Sequence, residues 1–290
     1  MRGGQRQVLL LMKGLREAGH GALLLARADG PLWKAACEEG FEVKPAGWSS
    51  VWRHSASFDL LHAHEAHGHT AAAVASRRPF VVSRRVAFPV GRSFLSKWKY
   101  ARAARFLAIS RFVAQCLLEA GVAGDRIDVV YDGVALSAPP VTWNSHGPAV
   151  ALASSDPQKG RELVESAARM AQVEILFSNN LADDLRGASM FLYITKSEGL
   201  GSAALLALSL GVPVIASRVG GLPEIIEDGV SGVLVENQPE EIAKAMNRLS
   251  SNAPSAQELI ERGRCRIQAQ FTQDHLVQAT LASYRRALEG

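Results

Sequence analysis

Residues 190–235 read MFLYITKSEGLGSAALLALSLGVPVIASRVGGLPEIIEDGVSGVLV, and this stretch limits the possible folds of the chain more than any other. Met190 to Thr195 is apolar and β-branched without alternation, the pattern of a strand buried on both faces of a parallel sheet. Lys196 and Ser197 end it, so Glu198 stands just beyond a strand end. Gly199 and Gly201 permit a sharp turn and close approach of backbone to a ligand. Ser202 is expected to cap a helix that runs to about Leu210 and stops at Gly211. Val212 to Ala216 predicts a second buried strand, Ser217 to Leu222 a glycine-bearing loop, and Pro223 with Glu224 the start of another helix. Strand, loop and helix repeated in this order predict a doubly wound parallel sheet, whose ligands bind beyond the carboxyl ends of the strands, where both loops fall. Unpaired amides at a helix start suit phosphate, and the Glu198 carboxylate suits sugar hydroxyls. A lone glycine loop would fit an ordinary turn, but two successive loops with a carboxylate at this spacing are more specific.

The segment SEGLG through GVPVIASRVGGLPEIIEDGVSGVLV resembles the carboxyl-terminal domain of the family 4 glycosyltransferases of GT-B fold (glycosyl transferases group 1), retaining enzymes that use activated sugars. The resemblance implies an α/β protein of two Rossmann-like, doubly wound parallel-sheet domains facing across a cleft. In the family a first glutamate, here Glu198, contacts the donor sugar. A second, eight residues later, holds the nucleotide ribose, and Leu206 stands there in this chain. SSDPQKG at Ser154 to Gly160 resembles the family loop in which an arginine and a lysine grip the donor diphosphate. Lys159 falls on the lysine and Ser154 on the arginine, and serine lacks the bidentate fork of a guanidinium. Read without the family, Lys159 is an exposed loop lysine.

MRGGQRQ at Met1 to Gln7 runs into VLLLMKGLREAGHGALLLA, an amphipathic helix followed by a strand. This resembles the opening glycine loop, first helix and second strand of the same family. The implied donor-binding set is therefore Gly3, Gly4, Ser154, Lys159, Gly199, Leu200, Gly201, Ser202 and Leu206. A Rossmann-like sheet begins with a strand that feeds such a loop, so the first strand of the usual fold is expected to be missing, with truncation as the expected cause. Restoring upstream codons should then raise soluble yield and melting temperature, because an unpaired strand site exposes apolar surface and backbone donors.

FDLLHAHEAHGHT at Phe58 to Thr70 reads as a strand followed by a loop holding His62, His64, His67 and His69. Four imidazoles invite a metal reading, but no Cys or closed ligand set accompanies them, and no metal is expected. The resemblance places His64 near the acceptor and the reacting sugar carbon, where an imidazole can donate to a phosphate or leaving oxygen. His64 and Glu198 are thus the expected catalytic residues, and His62 reads as a sheet-end core histidine. SRRVAFPVGRSFLSKWKYARAARFLAISRF at Ser83 to Phe112 is the most basic stretch, with Phe88, Phe94, Trp98 and Tyr100 interleaved. Residues 84–105 suit anionic lipid headgroups, and a solvated helix face is the plainer alternative. Arg84 and Arg85 are expected to face the cleft and hold an acidic acceptor. Nucleic acid is not expected, since no recognised module is present and the formal net charge is only +4.

FLAISRFVAQCLLEAGVAGDRIDVVYDGV reads strand, Ser110-capped helix, Gly121 stop and strand. Pro139, Pro140, Asn144, Ser145, Gly147 and Pro148 then suggest a hinge. This gives domains 1–140 and 141–270, with 271–290 a terminal helix that in the family returns toward the first domain. A length of 290 residues suits two domains that each bury a core. Between Gly160 and Met190 only the helix Arg161 to Met170, the strand VEILF and the weak helix LADDLRGAS fit, so the second domain is about one αβ unit short of the family pattern. Asp183 and Asp184 do not reproduce the spaced acidic motif of metal-dependent transferases. Cys37, Cys116 and Cys265 lie far apart in expected helices, which fits a reducing cytoplasm. No apolar run is long enough to span a bilayer, so membrane contact would be peripheral, at the inner face.

The function implied is retaining transfer from a nucleotide sugar, UDP or GDP type, to a glycan or lipid-linked acceptor in cell-envelope polysaccharide or lipopolysaccharide synthesis, without a separate cofactor. Leu206, Ser154 and the short second domain leave open a catalytically weak GT-B-like binding or partner subunit. A sugar-nucleotide epimerase on the same architecture is a third reading that fits the loops less well.

Overall fold

Val8, Leu11, Met12 and Leu15 form one apolar stripe at helical spacing, and they are the buried face of the first helix, α1 (Gly3–Glu17). The computed structural model describes residues 3–87, 91, 93–136 and 141–289. The chain divides into two compact units, Met1–Gly133 with Gln273–Gly290, and Val134–Thr272.

In the first unit α1 is followed by β1 (Leu23–Ala26), α2 (Pro31–Glu38), β2 (Glu42–Pro45), α3 (Trp48–Ser55), β3 (Leu61–Ala63), α4 (Ala66–Ala75), β4 (Phe80–Arg84), α5 (Phe94–Arg102), β5 (Arg105–Ala108), α6 (Arg111–Glu119) and β6 (Ile127–Val129). All pairings are parallel. The strands form two sheets, β1–β2 and β3–β4–β5–β6. Ser110 caps α6 by accepting from Val113 N at 3.0 Å, and Gly121 follows it at φ +84°.

Two expectations are corrected here. Gly3 and Gly4 lie in the first turn of α1 and not in a loop. The first amides of a helix have no intrahelical acceptor to satisfy, so glycines enter that turn at little cost. His67 and His69 lie in α4 and not in a loop, since the alanine-rich run that follows carries the helix through them.

The terminal helix Gln273–Glu289 completes the first unit's core: Leu276, Val277 and Leu281 join Leu11, Leu15, Val81 and Leu107. Asp128 on β6 binds it by polar contacts, accepting from Ser283 Oγ at 2.6 Å and Arg286 at 2.7 Å, and is itself held by Arg105 Nε of β5 at 2.6 Å. The helix crosses α1 at Gly14, where a Cβ would lie 2.3 Å from Val277 Cγ2. Gly14→Ala is expected to cost about 1–3 kcal/mol through overpacking, read as a lowered melting temperature.

The second unit runs β7 (Ala149–Leu152), α7 (Arg161–Ala171), β8 (Ile175–Ser178), α8 (Leu181–Asp184), β9 (Met190–Tyr193), α9 (Ser202–Leu210), β10 (Val214–Ser217), α10 (Leu222–Ile225), β11 (Val233–Val235), α11 (Pro239–Ser251) and α12 (Ala253–Gln270). Its single parallel sheet has the order β11–β10–β9–β7–β8. Every residue of β9, β10 and β11 is buried, as continuous apolar runs require. Gly201, at φ +117°, is the N-cap of α9 and no side chain caps it, so Ser202 is the first helical residue instead of the expected cap. A Cβ at 201 would lie 2.7 Å from Leu222 Cδ2, which leaves that corner to glycine.

The expected hinge is also corrected in part. Val141 N donates to Leu210 O, Trp143 Nε1 to Ser189 O and Asn144 Nδ2 to Gly187 O, so 141–147 is fastened to the second unit. Pro139 and Pro140 lie outside the described residues.

Candidate functional site

Lys159 ends a short 3₁₀ turn, Pro157–Lys159, whose start is held by Asp156 accepting from Gln158 N at 2.9 Å. Gly160 follows at φ +58°, and a Cβ there would lie 2.8 Å from Ile194 Cγ2. Glycine thus lets the turn lie directly on the end of β9. Gln158 O accepts from Lys196 N at 2.8 Å and Thr195 Oγ1 at 3.0 Å, which fixes the turn to the next loop. Lys159 Nζ consequently reaches Glu198 Oε2 at 3.0 Å. Tyr193 OH donates to the same oxygen at 2.5 Å, and Gly199 N donates to Oε1 at 3.1 Å. Burial, then the Glu198 charge and the hydrogen bond to it, raise the Tyr193 phenol well above its ordinary value, so it stays protonated.

The loop after β10 packs backbone to backbone on the Glu198 loop. Gly221 N donates to Glu198 O at 3.1 Å. A Cβ at Gly220 would lie 1.9 Å from Glu198 O, and one at Gly221 2.2 Å from Gly199 O. Below them Ser217 Oγ accepts from Thr195 N at 2.9 Å and donates to Asn237 Oδ1 at 2.6 Å, while Asn237 Nδ2 donates to Thr195 O at 3.0 Å. The ends of β9, β10 and β11 are therefore locked together. Ser217→Ala is expected to destabilise the protein by about 1–3 kcal/mol by orphaning these buried groups, a change that thermal melting would register.

The other sequence-predicted donor residues are placed unequally. Ser154 Oγ accepts from Asp156 N at 3.2 Å and so stabilises its own turn. Leu200 is fully buried, which confines its share in a site to backbone groups, and Leu206 is partly exposed on α9.

In the first unit His62 is the middle residue of β3, with Nδ1 2.7 Å from Tyr284 OH and Nε2 2.8 Å from Ser83 Oγ. The His64 ring lies against it, tilted by 32° at a ring-centroid distance of 3.9 Å. Arg85 pairs with Asp132 at 2.5 Å, and its Cδ would be 3.4 Å from a Cβ at Gly4. Burial, then the Arg85 charge, lower His64 to about 3, so it is a neutral imidazole that donates an N–H and not an acid that gives up a proton. His64 Nδ1 and Arg85 Nε are buried without a hydrogen-bond partner among the described residues. Arg84 ends β4 and Arg85 just follows it, and they meet different neighbours: Arg84 acts on His69, Lys99 and Tyr100, Arg85 on His62 and His64.

His69 is apart from this cluster, buried among Tyr100, Phe80 and Phe106, and lowered to about 4 by burial and then Lys99. His67 is exposed. Among the described residues no three His, Cys, Asp or Glu side chains converge as a metal would need. Because His64 and His69 have depressed folded values, the unfolded chain takes up protons first as pH falls. Stability is full above about pH 6.5 and is lost progressively toward about pH 3. Melting temperature should follow that course, more shallowly in His69→Phe.

On α5, Phe94 and Leu95 are 81% and 73% exposed, and Arg102 lies 5.6 Å from the centre of the Trp98 ring. Phe88 lies outside the described residues. No described helix is long and apolar enough to cross a membrane.

Residues 1–138 match the family described as Glycosyltransferase Family 4, and residues 135–266 match Glycosyl transferases group 1. The chain belongs to the group 1, family 4 glycosyltransferases. Among curated relatives, this family 4 chain is 32% identical to the D-inositol 3-phosphate glycosyltransferase of Streptomyces bingchenggensis over 46% of its own length and 30% of the relative's. It is 30% identical to the alpha-maltose-1-phosphate synthase of Mycolicibacterium smegmatis over 46% of the chain and 38% of the relative. The matched segments thus span about a third of these relatives. Anabaena HepE, solved with UDP, superposes with TM-score 0.83 at 17% identity, covering 97% of this chain and 95% of HepE. A glycosyltransferase from Rickettsia africae superposes with TM-score 0.83 at 16% identity over 99% and 95% of the two chains. These likenesses show the GT-B fold.

Sequence reasoning missed Tyr193, Tyr284, Ser83 and the Thr195–Ser217–Asn237 lock. The one polar side chain in the apolar run of β9 was an available signal for Tyr193, because a buried tyrosine hydroxyl requires a partner.

Proposed function

We propose that the chain is a retaining glycosyltransferase that moves a sugar from a UDP- or GDP-type donor to a glycan or lipid-linked acceptor in cell-envelope polysaccharide or lipopolysaccharide synthesis. The observation that carries this reading is the meeting of Lys159 and Glu198, from two separate strand-end loops, at 3.0 Å beside a helix start that no side chain caps. Lys159 and the α9 amides suit a diphosphate, and Glu198 suits sugar hydroxyls. As the bond from the anomeric carbon to the phosphate oxygen breaks, charge gathers on the leaving diphosphate, where fixed donors stabilise most. Neutral His64 hydrogen-bonds near the reacting carbon, and Arg85 beside it, on the other side from Arg84, draws an acidic acceptor. The HepE complexes with UDP and UDP-glucose support a nucleotide-sugar donor. No metal or further cofactor has a role in this scheme. Calorimetry with UDP, GDP and their sugar conjugates tests it: saturable binding that Lys159→Ala removes supports the reading, and no binding by folded protein overturns it.

Ser154, engaged in its own turn, and apolar Leu206 supply weaker donor grips than the family pattern, which favours a catalytically weak partner subunit as the second reading. Donor binding without turnover on any acceptor would select it. Residues 84–105 would place the protein peripherally at the inner face of the cytoplasmic membrane through exposed Phe94 and Leu95 beside Lys97 and Arg102. The double substitution Phe94→Ala, Leu95→Ala is expected to weaken binding to anionic liposomes at least roughly tenfold, and unchanged sedimentation would remove that contact.

A further inference from the structure

We propose that Tyr193 is a positioning residue that keeps Glu198 aimed at the donor sugar when Lys159 turns to the diphosphate. This rests on the reading of Glu198 as the sugar contact.

Tyr193 closes β9 and is the only residue of that strand with a polar side-chain group. Its ring stacks with Phe191 at 5.7 Å between centroids, and its Cε1 lies 3.2 Å from where a Cβ at Gly201 would stand. The ring is therefore wedged under the phosphate-facing loop, with its hydroxyl held at one point. That hydroxyl donates to Glu198 Oε2 at 2.5 Å while Gly199 N holds Oε1 at 3.1 Å, so both carboxylate oxygens are gripped from the protein body.

Lys159 is the third partner, and it differs in kind. Its side chain is 27% exposed and its ammonium is carried by a flexible stem, so it can exchange the carboxylate for a phosphate. Without Tyr193, that exchange would leave Glu198 attached only through its neighbour's amide. The freed side chain would then have rotamer freedom to lose on capturing a sugar. The buried phenol, raised well above its ordinary value, remains a proton donor throughout the neutral range.

The consequence is selective. Tyr193 supports recognition of the sugar and leaves recognition of the nucleotide to Lys159 and the amides. In calorimetry with UDP, GDP, UDP-glucose, UDP-N-acetylglucosamine and GDP-mannose, the nucleotide and conjugate that wild type holds best are compared in Tyr193→Phe, Glu198→Gln and the double variant. Tyr193→Phe should weaken the conjugate roughly five- to thirtyfold, leave the nucleotide within about twofold, and add little to Glu198→Gln, as expected for one coupled unit. Loss in Glu198→Gln with a wild-type ratio in Tyr193→Phe would overturn the inference and leave the donor reading standing. Equal weakening of nucleotide and conjugate in Tyr193→Phe would make Tyr193 merely structural, with the same result. A wild-type ratio in Glu198→Gln, or no binding of any probe to wild type, would overturn the donor reading and this inference together.

Discussion

Glu198→Ala and Lys159→Ala should each lower kcat/KM for sugar transfer by roughly a hundred- to a thousandfold, with melting temperatures within a few degrees of wild type. The size follows from the site: a fixed cation and a fixed carboxylate act where charge develops on the leaving diphosphate. The preserved fold follows from exposure, since both side chains keep contact with solvent and neither belongs to the apolar core. Losing Lys159 still leaves Glu198 with Tyr193 and Gly199 as partners, so no carboxylate is stranded. Steady-state kinetics with the donor found by calorimetry, and melting curves on the same preparations, check both parts. Near-normal turnover in either variant would sink the assignment.

Gly220→Ala should be the most damaging single methyl in the molecule. Its φ of +56° disfavours any L side chain, and the added Cβ would stand 1.9 Å from Glu198 O, which is backbone and cannot rotate away. The two loops must separate, breaking the Gly221 to Glu198 hydrogen bond and moving the carboxylate. A cost above about 3 kcal/mol is expected, or a fall of roughly 10 °C in melting temperature for a unit of this size. Gly229→Ala is the matched control: φ is +73°, but nothing lies within 4 Å of its Cβ, so only the backbone preference is lost. Similar damage in both variants would show that loop interlock is not the cause.

The strand, loop and helix order of residues 190–235 was legible because a strand buried on both faces is continuously apolar and glycine interrupts it at each corner. Glu198 was legible from its place one turn past such a strand. That Lys159 and Glu198 serve one donor site was suggested only through family resemblance, and their direct contact was not foreseen, since 39 residues separate them and periodicity does not report distance across a sheet. Gly3, Gly4 and Ser202 were misjudged for a common reason. Small residues at a helix start fit a loop, a cap or a first turn equally well, and only tertiary contacts decide. Arg84 and Arg85 look equivalent in sequence, yet Arg84 ends β4 and Arg85 just follows it, and they meet different neighbours. The interlock of Gly220 with Glu198 left no signal beyond glycine itself.

The terminal helix has a kinetic consequence. Its Leu276, Val277 and Leu281 complete a core whose other members, Leu11, Leu15, Val81 and Leu107, are synthesised before the whole second unit. At about 5–20 residues per second, the ribosome needs roughly ten seconds or more to pass from Gly133 to Gln273. During that interval the first unit waits with an open apolar seam, while the second, encoded by one continuous segment, can close as soon as it emerges. The amino-terminal half is thus the last to finish folding, and it is the half for which a chaperone would compete.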